Sequence, residues 1–208
     1  MFSLSEADLG KRILGCGDGP ASFNAELTKR GGNIISVDPL YAYGEAAIRG
    51  RIDDAFEEVM RQTRANKEEF IWSQIPCVER LGQIRMAAMQ DFLSEYPHGK
   101  PEGRYLAGSL PHLDLADDSF DFALCSHFLF LYSTQLGLDF HIEAITELCR
   151  VSREVRIFPL LQLGSTPSPR VQPVVQWLQT AGYEVDRIQV PYEFQRGGNE
   201  MLRIRVHN

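Results

Sequence analysis

Short apolar runs alternate with amphipathic segments over most of the chain. The runs have strand lengths, and the segments between them repeat apolar residues at helical spacing. The predicted strands are "RIL" (12–14), "NIISV" (33–37), "RYLAG" (104–108), "DFALCS" (121–126) and "EVRIFPLL" (154–161). This alternation is typical of a parallel sheet that is covered by helices.

The end of the chain departs from this alternation. Two further alternating runs, "YEVDRIQV" (183–190) and "EMLRIRV" (200–206), are joined by a glycine-rich connection. Such a connection predicts an antiparallel pair at the sheet edge, because parallel neighbours need a long crossover. We therefore expect an α/β fold with a seven-stranded, mostly parallel sheet, an antiparallel last strand and helices on both faces.

Residues 39–107 form an unusually long connection between the second and third strands. A crossover helix with its strand needs roughly half that length. Two segments, 46–60 and 77–96, repeat apolar residues at helical spacing, which predicts two or three helices in an insertion over about 41–103. Two interpretations stay open: the insertion closes as a cap over a ligand near the carboxyl ends of the strands, or it only pads the fold.

Length and charge limit the possible partners. A chain of 208 residues is long enough for one domain with a complete core, so we expect a single domain over 1–208. The net charge of −7 provides no broad basic surface, which argues against nucleic acid and favours a small-molecule partner.

Cysteine usage and hydropathy indicate the compartment. The four cysteines form no CxxC pair and lack metal-ligand spacing with the five histidines, so we expect neither disulfides nor a metal site. No apolar run resembles a signal peptide or approaches membrane-spanning length. We therefore expect a cytoplasmic protein without membrane association.

The stretch "ILGCGDGPASF" after the first strand contains three glycines at alternate positions, Gly15, Gly17 and Gly19. In parallel sheets, such a turn lets backbone N–H groups face a ligand beyond the carboxyl ends of the strands. Asp38 ends the second strand, where a carboxylate can accept both hydroxyls of a ribose. The competing interpretation is that Asp38 only caps the turn before Pro39.

The residue after the third glycine is Pro20, and it bears on the identity of the ligand. We expect the helix "PASFNAELTKR" (20–30) to begin there, because the missing N–H of proline has no partner in a first helical turn. The dinucleotide fingerprint GxGxxG requires glycine or alanine at this position. Pro20 therefore disfavours a nicotinamide or flavin dinucleotide.

Three motifs together carry a family resemblance. "ILGCGDGPASF", "ISVDPLY" and "GSLPHLDLADDSFDFALCSHFLFLY" resemble the successive motifs of the class I S-adenosylmethionine-dependent methyltransferases, in order and over roughly residues 11–208. The resemblance implies a Rossmann-like fold with a helical insertion after the second strand, S-adenosylmethionine as cofactor, and methyl transfer to a small molecule.

The resemblance also implies which residues hold each part of the cofactor. The glycine loop would lie against the methionine part, Asp38 would hold the ribose, and Leu40 would flank the adenine. Ser109 and Leu110 would face the adenine edge. The complete implied cofactor-binding set is Gly15, Cys16, Gly17, Asp18, Gly19, Asp38, Pro39, Leu40, Ser109, Leu110, Ser126 and His127.

The methyl group would be bordered by Ser126 and His127, which follow the fourth strand. If the acceptor is a hydroxyl or an amine, His127 is the candidate general base, because the ordinary pKa of histidine lies near neutral pH. The alternative is a histidine packed at a strand end with satisfied nitrogens. Secondary candidates are Tyr132, Tyr192 and Glu193, and we expect His141 on a helix surface.

Two positions depart from the family pattern. Ile13 stands where the family usually has an acid, and Ser109 stands where it usually has an aspartate. Asp18 could supply the missing negative charge near the ammonium group of the cofactor, and Ser109 retains a donor and an acceptor for the adenine amino group. Two other functions stay open: a nicotinamide-dependent oxidoreductase and a non-catalytic adenosyl-cofactor-binding protein.

Overall fold

A computed structural model describes residues 1–206, so positions 207 and 208 of the expected domain lie outside the described residues. Nine strands are present in this part of the chain. They are β1 (Arg12–Cys16), β2 (Asn33–Val37), β3 (Tyr105–Leu106), β4 (Phe120–Ser126), β5 (Ser152–Phe158), β6 (Leu161–Gln162), β7 (Thr166–Pro167), β8 (Glu184–Gln189) and β9 (Glu200–Arg205). Strands β6 and β7 form a small separate hairpin.

The other seven strands form one sheet in the order β3-β2-β1-β4-β5-β9-β8. The first five pair in parallel, and β9 runs antiparallel to both β5 and β8. All seven strands predicted from the sequence are therefore present, and the predicted direction of the last strand is confirmed.

Six helices accompany the strands in the described part of the chain. They are α1 (Glu6–Leu9), α2 (Phe23–Lys29), α3 (Glu45–Ala65), α4 (Val78–Gly99), α5 (Leu138–Val151) and α6 (Val171–Thr180), with short 3-10 helices at Pro39–Ala42 and Lys67–Glu69. None of the helices within residues 1–206 has the length and apolar composition that a membrane crossing requires.

Helices cover both faces of the sheet because neighbouring side chains of a strand point to opposite faces. Leu14 of β1 belongs to the large core that includes Ile145 of α5 and Val174 of α6. Its neighbour Ile13 packs instead in a second cluster with Leu27 of α2. The predicted arrangement of helices on both faces is confirmed.

Helix α2 begins at Phe23, so the prediction that it starts at Pro20 is wrong. Gly19 has a left-handed backbone (φ +58°) instead of the extended conformation that is typical of a helix N-cap. The Gly19 N–H and carbonyl are also bound by the side chains of Asp38 and Tyr41. These bonds hold Pro20 in the loop.

The insertion contains the long helices α3 and α4, which pack against each other, and it adds no strand to the central sheet. Its inner end is held by four packed rings, Tyr41, Phe92, Tyr96 and Tyr105, with centroids 5.0–6.0 Å apart. Such aromatic pairs add to the stability from burial alone. The helical insertion after the second strand is thereby confirmed, and it is anchored at β3.

Candidate functional site

A cavity of about 960 Å³ lies at the edge of the sheet where β1, β2 and β4 end. All the cofactor-binding residues expected from the sequence, except Leu40, line it: Gly15, Cys16, Gly17, Asp18, Gly19, Asp38, Pro39, Ser109, Leu110, Ser126 and His127. The register explains this meeting, because Cys16 lies opposite Val37 where β1 and β2 end.

Leu40 faces away from this cavity. It lines a neighbouring groove and packs against the aromatic cluster at the base of the insertion. The reason is the 3-10 helix Pro39–Ala42, which starts directly after Asp38 and turns the chain toward α3 and α4. Pro39 is the residue that lines the cavity at this point.

The glycine loop adopts a conformation that side chains would disturb. Gly17 has φ +73°, and a Cβ atom there would lie 3.1 Å from the ring of Phe128. At Gly15 a Cβ atom would overlap the carboxylate of Asp18, which folds back against the backbone. The alternate glycines therefore serve both the left-handed turn and the close approach of Asp18.

Asp38 makes two hydrogen bonds with its carboxylate. Oδ2 accepts from the N–H of Gly19 at 2.9 Å, and Oδ1 accepts from the N–H of Leu40 at 2.8 Å. Asp38 does act as a cap, because its bond to the N–H of Leu40 caps the 3-10 helix. Each oxygen accepts one bond and retains capacity for another, so capping leaves room for ligand hydroxyls.

Asp18 is the unusual acid of the site. Burial raises the pKa of its carboxyl group to about 6, and the nearby charge of Asp38 acts in the same direction. A hydrogen bond of 2.6 Å from the hydroxyl of Ser36 opposes this shift. An ionised Asp18 therefore lacks a cationic partner among residues 1–206 and would be stabilised by one from a ligand.

A chain of hydrogen-bonded polar groups, of which Asn24 and Ser36 are buried, connects Asp18 to the insertion. The Ser36 hydroxyl accepts a hydrogen bond of 3.1 Å from Asn24, and Asn24 also donates to the carbonyl of Arg104 at 3.0 Å. The Arg104 guanidinium binds the carboxylate of Glu95 on α4 with two hydrogen bonds. Satisfied buried networks of this kind hold their members in one arrangement, which here links the loop to α4.

His127 lines the cavity and has a left-handed backbone (φ +53°). Its ring atom Nδ1 lies 2.7 Å from the hydroxyl oxygen of Ser126. Its backbone N–H donates to the carbonyl of Phe158 at 2.7 Å. His127 is an exposed residue of the cavity wall. Desolvation there lowers the pKa of the imidazole to about 4, and the positive charges of Arg85 and of the amino terminus act in the same direction. His127 is consequently neutral at neutral pH and a weak base.

The secondary candidates are dispersed. Tyr132 lines the cavity. Tyr192 packs edge-to-face against Phe158 with centroids 5.9 Å apart, and Glu193 accepts from the N–H of Gly197 at 2.8 Å and so holds its own loop. Within residues 1–206, no group of three or more histidine, cysteine or acidic side chains is arranged to hold a metal ion.

The expectation for His141 is wrong, because its side chain is fully buried. Its ring nitrogens lie 2.7 Å from the carbonyl of Gly137 and 3.0 Å from that of Leu129, and the ring stacks on Phe130. The carbonyl of Leu129 approaches only through the tertiary fold, so the helical pattern alone could not place this histidine inside.

Sequence reasoning missed the segment before α1. Residues 1–4 line the cavity, and Phe2 packs edge-to-face on Phe158 with centroids 6.5 Å apart. The buried Arg156 holds this segment by donating to the carbonyl of Phe2 at 2.8 Å and by pairing with Asp8 at 3.7 Å. The apolar residues of "MFSL" were the available signal.

No family model matches the sequence. The uncharacterized protein MJ0045 from Methanocaldococcus jannaschii is 32% identical to this chain over 206 residues, which cover 99% of this chain and 90% of that protein. A relation of this length at this identity extends over the whole cavity and the insertion.

Solved structures show the same fold at low sequence identity. Magnesium protoporphyrin IX methyltransferase (ChlM) from Synechocystis PCC 6803 with bound SAM has a TM-score of 0.50 and 10% identity, over 97% of this chain and 73% of that one. The PH0226 protein from Pyrococcus horikoshii OT3 has a TM-score of 0.51 and 10% identity, over 95% of this chain and 82% of that one. At such identities the likeness concerns the fold.

Proposed function

We propose that this chain is a methyltransferase. The chain belongs to the family of MJ0045 and to the class I S-adenosylmethionine-dependent methyltransferase fold family. In this proposal the chain binds S-adenosylmethionine and transfers its methyl group to a small-molecule acceptor. The observation that supports it most is the meeting of the glycine loop, Asp38, Ser109 and His127 around one cavity of about 960 Å³.

The residues present fit the chemistry of the cofactor. Backbone of the glycine loop lines the cavity where the methionine part would lie, and Asp18 offers a negative charge to its ammonium group. Asp38 retains acceptor capacity for ribose hydroxyls. Pro39 replaces Leu40 as the residue that would flank the adenine, with Ser109 and Leu110 at its edge.

S-adenosylmethionine, when bound, supplies a methyl group that is already activated by its sulfonium. The protein then has to hold the acceptor in line and exclude water. His127 would border the methyl group as a neutral hydrogen-bond acceptor, and its low pKa makes it a weak general base. Acceptors that need little help with deprotonation suit this site best.

We also propose that residues 41–103 act as the cap of a single domain rather than as padding. The hydroxyl of Tyr41 donates to the carbonyl of Gly19 at 2.7 Å, so the insertion is bonded directly to the glycine loop. The polar chain from Asp18 to Glu95 is a second connection. A ligand that orders the glycine loop would therefore also restrict the motion of α3 and α4.

Thermal denaturation with S-adenosylmethionine, S-adenosylhomocysteine and NAD, each measured separately, tests the function. The two adenosyl compounds should raise the melting temperature, since a ligand at 100 times its Kd stabilises a protein by about 2.7 kcal/mol. Stabilisation by NAD alone would overturn the proposal in favour of an oxidoreductase. Binding of the adenosyl compounds without transfer of a labelled methyl group to any acceptor would favour the non-catalytic alternative.

A further inference from the structure

A second concave surface adjoins the cofactor cavity. This groove of about 580 Å³ lies between α3, α4 and the glycine loop, and Asp18 and Ala21 line both it and the cavity. Its walls are mainly apolar, including Ile52, Phe56 and Met89. A small molecule in the groove would therefore bury apolar surface directly beside the glycine loop.

Two arginines, Arg51 on α3 and Arg85 on α4, line this groove. Neither forms a salt bridge or a hydrogen bond with its side chain within the described part of the chain, although the guanidinium of Arg51 lies 4.0 Å from the centroid of the Tyr43 ring. Other arginines of the insertion are paired, as in Arg49 with Glu45 and Arg61 with Glu58.

Arg85 is the more informative of the two because it is half-buried, whereas Arg51 is exposed. A half-buried guanidinium carries five N–H donors and loses hydration without gaining a protein acceptor in return. The acidic residue that lines the groove, Asp18, accepts a hydrogen bond from Ser36 and makes none with Arg85. The groove thus presents an unsatisfied cation on an apolar surface.

The charge of Arg85 also acts on a residue that lines the cofactor cavity. Desolvation lowers the pKa of His127, and the positive charge of Arg85 adds to this shift. Desolvation raises the pKa of Tyr192, and the charge of Arg85 opposes that shift. A charged residue of the groove is therefore coupled electrostatically to His127, which would border the methyl group.

We propose that the groove binds the methyl acceptor and that the acceptor is a small apolar molecule with a carboxylate, which Arg85 binds. This inference rests on the methyltransferase function proposed above. One planar guanidinium matches a carboxylate with two parallel hydrogen bonds. A cationic amine would be repelled by Arg51 and Arg85.

Paired probes that differ only in charge test the proposal: 3-phenylpropionate against 3-phenylpropanamide, and octanoate against octanamide. Binding is measured by calorimetry with the full chain saturated with S-adenosylhomocysteine. The wild-type protein should bind each acid about tenfold or more tightly than its amide, as expected for one charge-assisted interaction. Equal binding of acid and amide, or no binding of either acid, would overturn the proposal.

Three variants assign the effect to Arg85. Arg85→Met keeps the apolar stem and should abolish the preference for the acid, and Arg85→Lys should retain part of it. Arg80→Met is the matched control, because Arg80 is an exposed residue of the same helix whose side chain binds only Gln83. A preference that survives in Arg85→Met contradicts the proposal.

The cofactor analogue separates this inference from the function on which it rests. S-adenosylhomocysteine should bind Arg85→Met and the wild-type protein equally. Weaker binding to Arg85→Met would assign the arginine to the carboxylate of the cofactor and overturn the acceptor site. Failure of S-adenosylhomocysteine to bind the wild-type protein at all would instead refute the methyltransferase function itself.

Discussion

The carboxylate of Asp38 accepts a hydrogen bond of 2.9 Å from the N–H of Gly19, and this bond joins the end of β2 to the glycine loop that follows β1. Because the other carboxylate oxygen caps the 3-10 helix at Leu40, one side chain sets the position of two cavity walls. An acid at this point therefore contributes to the shape of the empty site as well as to the binding of a ribose.

Replacement of Asp38 should weaken cofactor binding and also destabilise the protein. Asp38→Ala removes two hydrogen bonds to a charged group, worth on the order of 1.5–3 kcal/mol each where they are desolvated. We expect S-adenosylhomocysteine to bind roughly ten- to several-hundred-fold more weakly, and the melting temperature to fall without ligand. Calorimetric titration and thermal denaturation measure the two effects.

Asp53→Ala, at an exposed residue of α3, is the control and should change neither the affinity nor the melting temperature. An unchanged affinity in Asp38→Ala would refute the ribose role.

Asp18 should make stability depend on pH. Its pKa is raised from 3.8 to about 6 in the folded protein, so the folded state binds more protons than the unfolded state in this window. The contribution of Asp18 to stability is then fully present below about pH 4 and is lost as the pH rises through about 6. Asp18→Asn should melt at a higher temperature than the wild-type protein at pH 7, with a difference that vanishes near pH 4.

The same variant tests the role of Asp18 toward the cofactor. If the carboxylate pairs with the ammonium group, wild-type affinity for S-adenosylhomocysteine should fall as the pH falls through about 6. The affinity of Asp18→Asn should be lower at pH 7 and nearly constant over this range. A parallel pH dependence in both proteins would show that another group is responsible.

Two glycine substitutions should have effects of opposite sign. Gly17→Ala forces a side chain into a left-handed backbone near the ring of Phe128, which should cost about 1–2 kcal/mol of stability and weaken cofactor binding. Gly50→Ala lies inside α3 with open space around it and should stabilise the protein by up to about 1 kcal/mol. Denaturant titrations compare them, and a neutral Gly17→Ala would contradict the described loop.

Hydrogen exchange should reveal whether the insertion responds to the cofactor. Amides of α3 and α4 should exchange more slowly once S-adenosylhomocysteine binds, because Tyr41 connects the insertion to Gly19. Tyr41→Phe removes this bond and should reduce the protection of α3. Exchange that is unchanged by the ligand would support padding as the role of the insertion.

Removal of Arg85 should raise the pKa of His127. Burial is the largest cause of the value near 4, so we expect Arg85→Met to shift it upward while leaving it below its ordinary value of 6.5. Nuclear magnetic resonance titration of the imidazole measures the shift, with Arg80→Met as the control. An identical pKa in wild type and Arg85→Met would place the arginine too far away to act on the site.

The order of elements was readable from the sequence because it depends on local patterns. Apolar runs identified all seven strands of the main sheet, and the helical spacing of 46–60 and 77–96 identified α3 and α4. The glycine loop and Asp38 could be located together because parallel strands bring their carboxyl ends to one edge. These inferences need only neighbours along the chain and one rule of topology.

Contacts between distant segments decided the rest. The start of α2 after Pro20 follows from bonds that Asp38 and Tyr41 make to Gly19, and the burial of His141 follows from the carbonyl of Leu129. The groove containing Arg85 exists only where α3 and α4 pack beside the loop. Periodicity reports which face of an element is apolar, whereas the partner of a polar group depends on which segments the tertiary fold brings within hydrogen-bonding distance.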